Sequence, residues 1–102
     1  MSEFVRVCSA AQLPKAGAVA EFTVEGRALC VANVDGAISV LGGVCPHEGG
    51  PLGEGFVEQG CVVCPWHSYA FNLRTGVCEE EPSLKAALFE STIADGELRA
   101  RL

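Results

Sequence analysis

Two short segments, CPH at residues 45–47 and CPWH at residues 64–67, constrain this 102-residue chain more than any other feature. Together they contain both of its histidines and two of its six cysteines. Each segment offers one thiol and one imidazole, as Cys45-x-His47 and Cys64-x-x-His67. Two soft thiolates and two imidazoles carried on two short loops are a ligand set for a metal centre, provided the loops lie side by side. The rest of the chain has to be a scaffold that brings them together.

That scaffold reads as β-structure. Strand-sized apolar and β-branched runs recur as FVRV (4–7), AVAEFTV (18–24), ALCVANV (28–34) and AISVL (37–41). CVVC and YAFNL read as two further short strands, followed by a turn at RTG (74–76). Asp35-Gly36 and Asp95-Gly96 suit tight hairpins, because both residues of such a turn take positive φ. The segment SLKAALFES (83–91) is predicted to be mostly strand. Helical spacing is sustained nowhere. Between Gly42 and Gly60 the pattern breaks into a structured loop region that holds more than half of the twelve glycines and two of the five prolines.

Composition narrows the class. A hydrophobic share of 49% and a charged share of 20% belong to a chain that folds by burial, and the length suits one domain, residues 1–102. The net charge of −6 opposes nucleic acid and anionic membranes and favours partners with a basic face. No apolar run approaches the ~20 residues of a membrane span, and the start lacks a signal-peptide pattern, so a cytoplasmic location is expected. In a reducing compartment six cysteines point to metal binding or burial rather than to disulfides. Cys8 and Cys30 read as buried thiols, Cys61 as a buried or partly exposed spare thiol, and Cys78, just before the acidic triplet, as a candidate for an accessible one. The triplet Glu79 to Glu81 reads as a solvated face.

Two metal centres compete for the four candidate ligands. Zinc accepts two Cys and two His, but the common zinc-finger spacing pairs Cys with Cys and His with His. A Rieske [2Fe–2S] centre needs both thiolates on one iron and both imidazoles on the other, which two loops each giving one Cys and one His supply.

The motif resembles that of the Rieske family. The likeness extends from CPHEGG through GGPLGEG and CPWH to FNLRTG and the Glu-Pro-Ser of EEEPSL, covering residues 45 to 84. It implies an all-β fold of small antiparallel sheets, with a two-loop subdomain at about 42–84 that binds one [2Fe–2S] cluster. Carried over by position, it makes Cys45 and Cys64 ligands of the inner iron and His47 and His67 ligands of the outer one. Trp66, Ser68, Tyr69 and Pro82 are then expected to surround the ligands, Pro82 on a loop over the cluster. Glu48, Glu54 and Glu58 are expected to guide docking.

Within the family, the cytochrome bc type carries a disulfide between the ligand loops, at positions held here by Gly50 and Trp66. It also carries serine and tyrosine hydroxyls where this chain has Tyr69 and Phe71. Without those donors a low potential is expected, toward the bottom of the family's roughly −150 to +300 mV. The resemblance therefore implies a monomeric, non-catalytic electron carrier of the ferredoxin type. It would pass single electrons from a flavoprotein reductase to a ring-hydroxylating dioxygenase. The small subunit of an NADH-dependent nitrite reductase is the alternative, and a zinc-stabilised interaction module is an alternative of a different class. A redox sensor is disfavoured by the lack of an effector domain. A catalytic oxygenase subunit is disfavoured because it needs a mononuclear-iron domain.

Overall fold

The structure, a computed structural model, describes residues 4–46, 49–66 and 68–102. Nine strands follow one another: β1 (Phe4–Ser9), β2 (Val19–Val24), β3 (Arg27–Val34), β4 (Ala37–Gly42), β5 (Phe56–Glu58), β6 (Cys61–Val63), β7 (Ala70–Asn72), β8 (Leu88–Ala94) and β9 (Glu97–Arg101). Two short 3-10 turns, Ala10–Gln12 and Leu52–Glu54, complete the elements. The strands form a six-stranded sheet in the order β1-β9-β8-β4-β3-β2 and a three-stranded sheet in the order β5-β6-β7, with every pairing antiparallel. The all-β expectation is met.

Short turns hold the hairpins in register. Asp35-Gly36 and Asp95-Gly96 both take positive φ, as the sequence predicted. Glu25-Gly26 and Gln59-Gly60 do the same between β2 and β3 and between β5 and β6. These two turns escaped prediction because only their second residue is a turn former. In SLKAALFES the strand begins only at Leu88. The reason is that the Ala86 N–H is already committed to the Gly76 carbonyl (2.8 Å), outside the large sheet.

Strand β3 is the central wall. Leu29 and Val31 enter one apolar core with Val7, Val40 and Leu98, while Cys30 and Ala32 enter a second with Leu41, Leu52, Val62 and Phe71. Successive strand residues point to opposite faces, so a strand buried on both faces must be apolar throughout. This one is, from Leu29 to Ala32, all fully buried. On β1 the register slips between Arg6 and Cys8, so that Val7 and Cys8 are both buried.

The second core carries the two loops that bear the candidate ligands. The first loop leaves β4 and is fastened back to the large sheet by Gly43 N–H to the Ala28 carbonyl (2.9 Å) and Leu52 N–H to the Gly43 carbonyl (2.9 Å). The turn at Leu52–Glu54 then rests directly on β2. A Cβ on Gly53 would stand 2.5 Å from the Cβ of Glu21, so no larger residue fits there. The second loop leaves β6 at Cys64 and returns at Tyr69, where Cys64 N–H donates to the Tyr69 carbonyl (2.8 Å).

Candidate metal centre

The two loops converge at their cysteines. Cys45 and Cys64 are buried, and their thiols lie within hydrogen-bonding reach of each other. Cys45 is held by its own backbone: its N–H donates to the Gly50 carbonyl and its carbonyl accepts from Gly49 N–H, both at 2.8 Å. Cys45 is thus tied directly to Gly49 and Gly50 by backbone bonds. A bridge between Val44 and Pro51 seals the base of the loop.

Burial pushes the Cys64 thiol above its ordinary pKa. The Trp66 N–H pulls the other way by donating to its sulfur at 3.4 Å, and the neighbouring Cys45 thiol raises it again. Such a donor is what a thiolate bonded to iron would keep, since N–H groups aimed at sulfur stabilise negative charge there.

Gly50 is a point of close approach between the loops. A Cβ built on it would fall 2.8 Å from the Cys64 sulfur and 2.9 Å from Cγ of Trp66. The Trp66 indole therefore packs on the first ligand loop while keeping half of its surface exposed. Gly50 and Trp66 are also the two positions compared above with a disulfide, and here an indole against a bare backbone joins the loops instead.

The remaining expectations fall out as follows. His47, His67 and Glu48 lie outside the described residues. Among the described residues no group of three or more His, Cys, Asp and Glu side chains converges to hold a metal, so the thiol pair is the described part of the candidate set. Ser68 is exposed with φ at 58°. Tyr69 is half-buried and contributes its carbonyl to the base of the second loop. Phe71, with no hydroxyl, fills the second core completely.

Glu54 and Glu58 are exposed. Glu58 pairs with Cys61 beside the Gln59-Gly60 turn, whereas Cys64 leaves the other end of β6. Three residues, about 10 Å, separate those ends.

Pro82 is exposed on a loop closed by Cys78 N–H to the Leu84 carbonyl (3.0 Å) and Leu84 N–H to the Glu81 carbonyl (2.8 Å). That loop is joined to β7 at Ala70, next to the second ligand loop.

The spare cysteines are all buried. This corrects the expectation for Cys78, which has no exposed surface because its strand-like segment bridges Phe71 and closes the second core. Burial raises the thiols of Cys8, Cys61 and Cys78, and pushes Cys30 up to about 12, with Glu21 adding to it.

Two loops that bring paired thiols under a backbone donor, on a small antiparallel sheet packed against a larger one, define a metal-cluster domain. A model of the Rieske [2Fe-2S] domain matches residues 3–95, and the chain belongs to that family. Its cofactor is accordingly a [2Fe–2S] cluster.

The anthranilate 1,2-dioxygenase ferredoxin subunit of Burkholderia cepacia is 30% identical over 95 residues, covering 84% of this chain and 88% of that protein. A solved ferredoxin from Sphingomonas yanoikuyae B1 superposes with a TM-score of 0.87 at 28% identity, over 98% of this chain and 99% of its own. The human apoptosis-inducing factor 3 is 44% identical over 59 residues, which are 58% of this chain and 10% of that protein. The chain thus spans about a tenth of the length of that relative and nearly all of the two ferredoxins. No described helix is long and apolar enough to cross a membrane.

Proposed function

We propose that this protein is the ferredoxin component of a multicomponent oxygenase, receiving one electron from a flavoprotein reductase and delivering it to a ring-hydroxylating dioxygenase. The observation that carries the reading is the extent of its likeness to the anthranilate 1,2-dioxygenase ferredoxin subunit, 84% of one chain against 88% of the other.

Cys45 and Cys64 would hold one iron of the cluster and His47 and His67 the other. When bound, the cluster supplies a single-electron site whose imidazole ligands raise its potential above that of an all-thiolate centre. The chain's own residues set the level from there. Trp66 N–H favours charge on the Cys64 sulfur. The fully buried Phe71 offers no hydroxyl that would favour it further. On that balance the expected potential lies toward the low end of the family's range.

The test begins with anaerobic purification, assays for iron, sulfide and zinc, and an electron paramagnetic resonance spectrum after dithionite reduction. A [2Fe–2S] signal with an average g below that of an all-cysteine cluster supports the ligand set. One zinc in a colourless sample overturns it. Adding the protein to an NADH-linked flavoprotein reductase and a ring-hydroxylating dioxygenase then tests the partners: product must depend on the ferredoxin.

A further inference from the structure

The acidic triplet after Cys78 contains a residue that the proposed electron transfer leaves unused. Strand β7 is an edge strand of the small sheet, and Ala70 at its start turns its backbone polar groups outward. Because Cys64 N–H bonds to Tyr69 on one side, the next residue, Ala70, directs its N–H and carbonyl away from β6. An outward-facing N–H and carbonyl of this kind, one residue beyond the second candidate ligand loop, need partners.

The loop that carries Pro82 supplies both. Glu79 N–H donates to the Ala70 carbonyl (2.8 Å), and the Ala70 N–H donates to Oε1 of Glu80 (2.9 Å). The Glu80 carboxylate stands where the carbonyl of a neighbouring strand would be. The same oxygen accepts from the Cys78 thiol at 3.6 Å, which fixes the carboxylate to the buried start of its own loop. Glu79 and Glu81 do nothing equivalent toward β7: the Glu79 contact is through backbone, and the Glu81 side chain accepts from Ser83 Oγ at 2.9 Å.

We infer that Glu80 is a positioning residue for the cluster, clamping the exit of the second ligand loop so that the Cys64–Tyr69 closure at its base is held in place. The inference rests on Cys64 and His67 being ligands. Its physical core is reach: the carboxylate spans from the Pro82 loop to Ala70, and the clamp depends on that span as well as on charge. A charge-assisted bond to a backbone N–H is among the stronger hydrogen bonds of a protein surface.

The experiment compares the wild-type full chain, loaded with its cluster, with Glu80→Ala, Glu80→Asp, Glu80→Gln and Glu79→Ala. Cluster loss in air is followed by visible absorbance, cluster geometry by circular dichroism in the visible, and amide exchange of the peptide spanning Ala70 by mass spectrometry. Glu80→Ala should lose the cluster roughly tenfold faster, with an altered visible spectrum and faster exchange at Ala70.

Glu80→Asp keeps the charge but shortens the arm, and should behave like Glu80→Ala. Glu80→Gln retains an acceptor oxygen at full length without the charge and should fall between wild type and Glu80→Ala, whereas Glu79→Ala should stay close to wild type. Should Glu80→Ala prove insoluble, the Asp and Gln pair decides alone. Equal lifetimes, spectra and exchange for the Asp variant and wild type would overturn the inference. A wild-type chain that takes up no mixed-ligand cluster would instead overturn the ligand reading on which it stands.

Discussion

The two faces of β3 look onto cores of different construction. On one side Leu29 and Val31 meet Val7, Val40 and Leu98, aliphatic side chains from long strands with many paired residues. On the other, Cys30 and Ala32 meet a core that includes Cys45, Cys64 and Cys78, edged by strands of three residues. The first core is held by side-chain volume. The second is held by backbone bonds within loops and by places where a side chain is missing, Gly50 against Trp66 and Gly53 against Glu21. A single chain thus contains a region that tolerates rearrangement by repacking and a region that does not.

The sharpest way to separate them is by cysteine. Cys64→Ser should abolish cluster binding, read as iron per chain, while far-ultraviolet circular dichroism of the β scaffold persists. Cys30→Ala, in the same core but on β3, should retain iron near the wild-type level. If both variants lost it equally, the second core would be acting as one undivided unit.

Next in size is Gly50→Ala. One added methyl group, 2.8 Å from the Cys64 sulfur, forces the ligand loops apart, and iron content should fall severalfold. Leu29→Ala strikes the opposite core and should cost about 2–5 kcal/mol in chemical denaturation. The cluster absorbance of that variant should vanish only as the whole domain unfolds.

The smallest effect is electrostatic and belongs to the large sheet. Hydrogen bonds from Arg6 and then Arg99 hold the Glu97 carboxyl below its ordinary 4.5. A depressed pKa means that the contribution is present above the usual carboxylate range and fades as pH falls through the folded-state value. Arg6→Gln should therefore lower the neutral plateau of a melting-temperature profile slightly and leave the values below the carboxylate range unmoved, so that the acid limb becomes shallower.

What the sequence revealed follows the same division. Strands β1 to β4, β8 and β9 were legible because apolar alternation and Asp-Gly turns are local signals. The short strand β5 was not, since Phe56–Glu58 lies inside a glycine-rich stretch and gains its pairing only from β6. The ligand candidates stood out by residue type and spacing, and the meeting of the two thiols follows from that spacing. Glu80 escaped notice because its role depends on the backbone direction of Ala70, which no pattern of side chains reports. Cys78 was misjudged for a related cause: its acidic neighbours suggest water, yet a bridge to Phe71 draws its thiol inward.

The burial of Cys45 and Cys64 has a consequence for how the protein matures. Protein atoms alone leave these two residues 2% and 0% of their surface. A solvated ferrous ion or a delivery protein cannot reach a thiol so covered, whatever its concentration. Under the proposed ligand set, loading is then a gated event, limited by how often the two thiols become exposed. Reconstitution of the folded apoprotein should level off as iron and sulfide are raised, and mild denaturant should quicken it. In a cell the favourable moment for insertion is the interval before the small sheet closes on the large one.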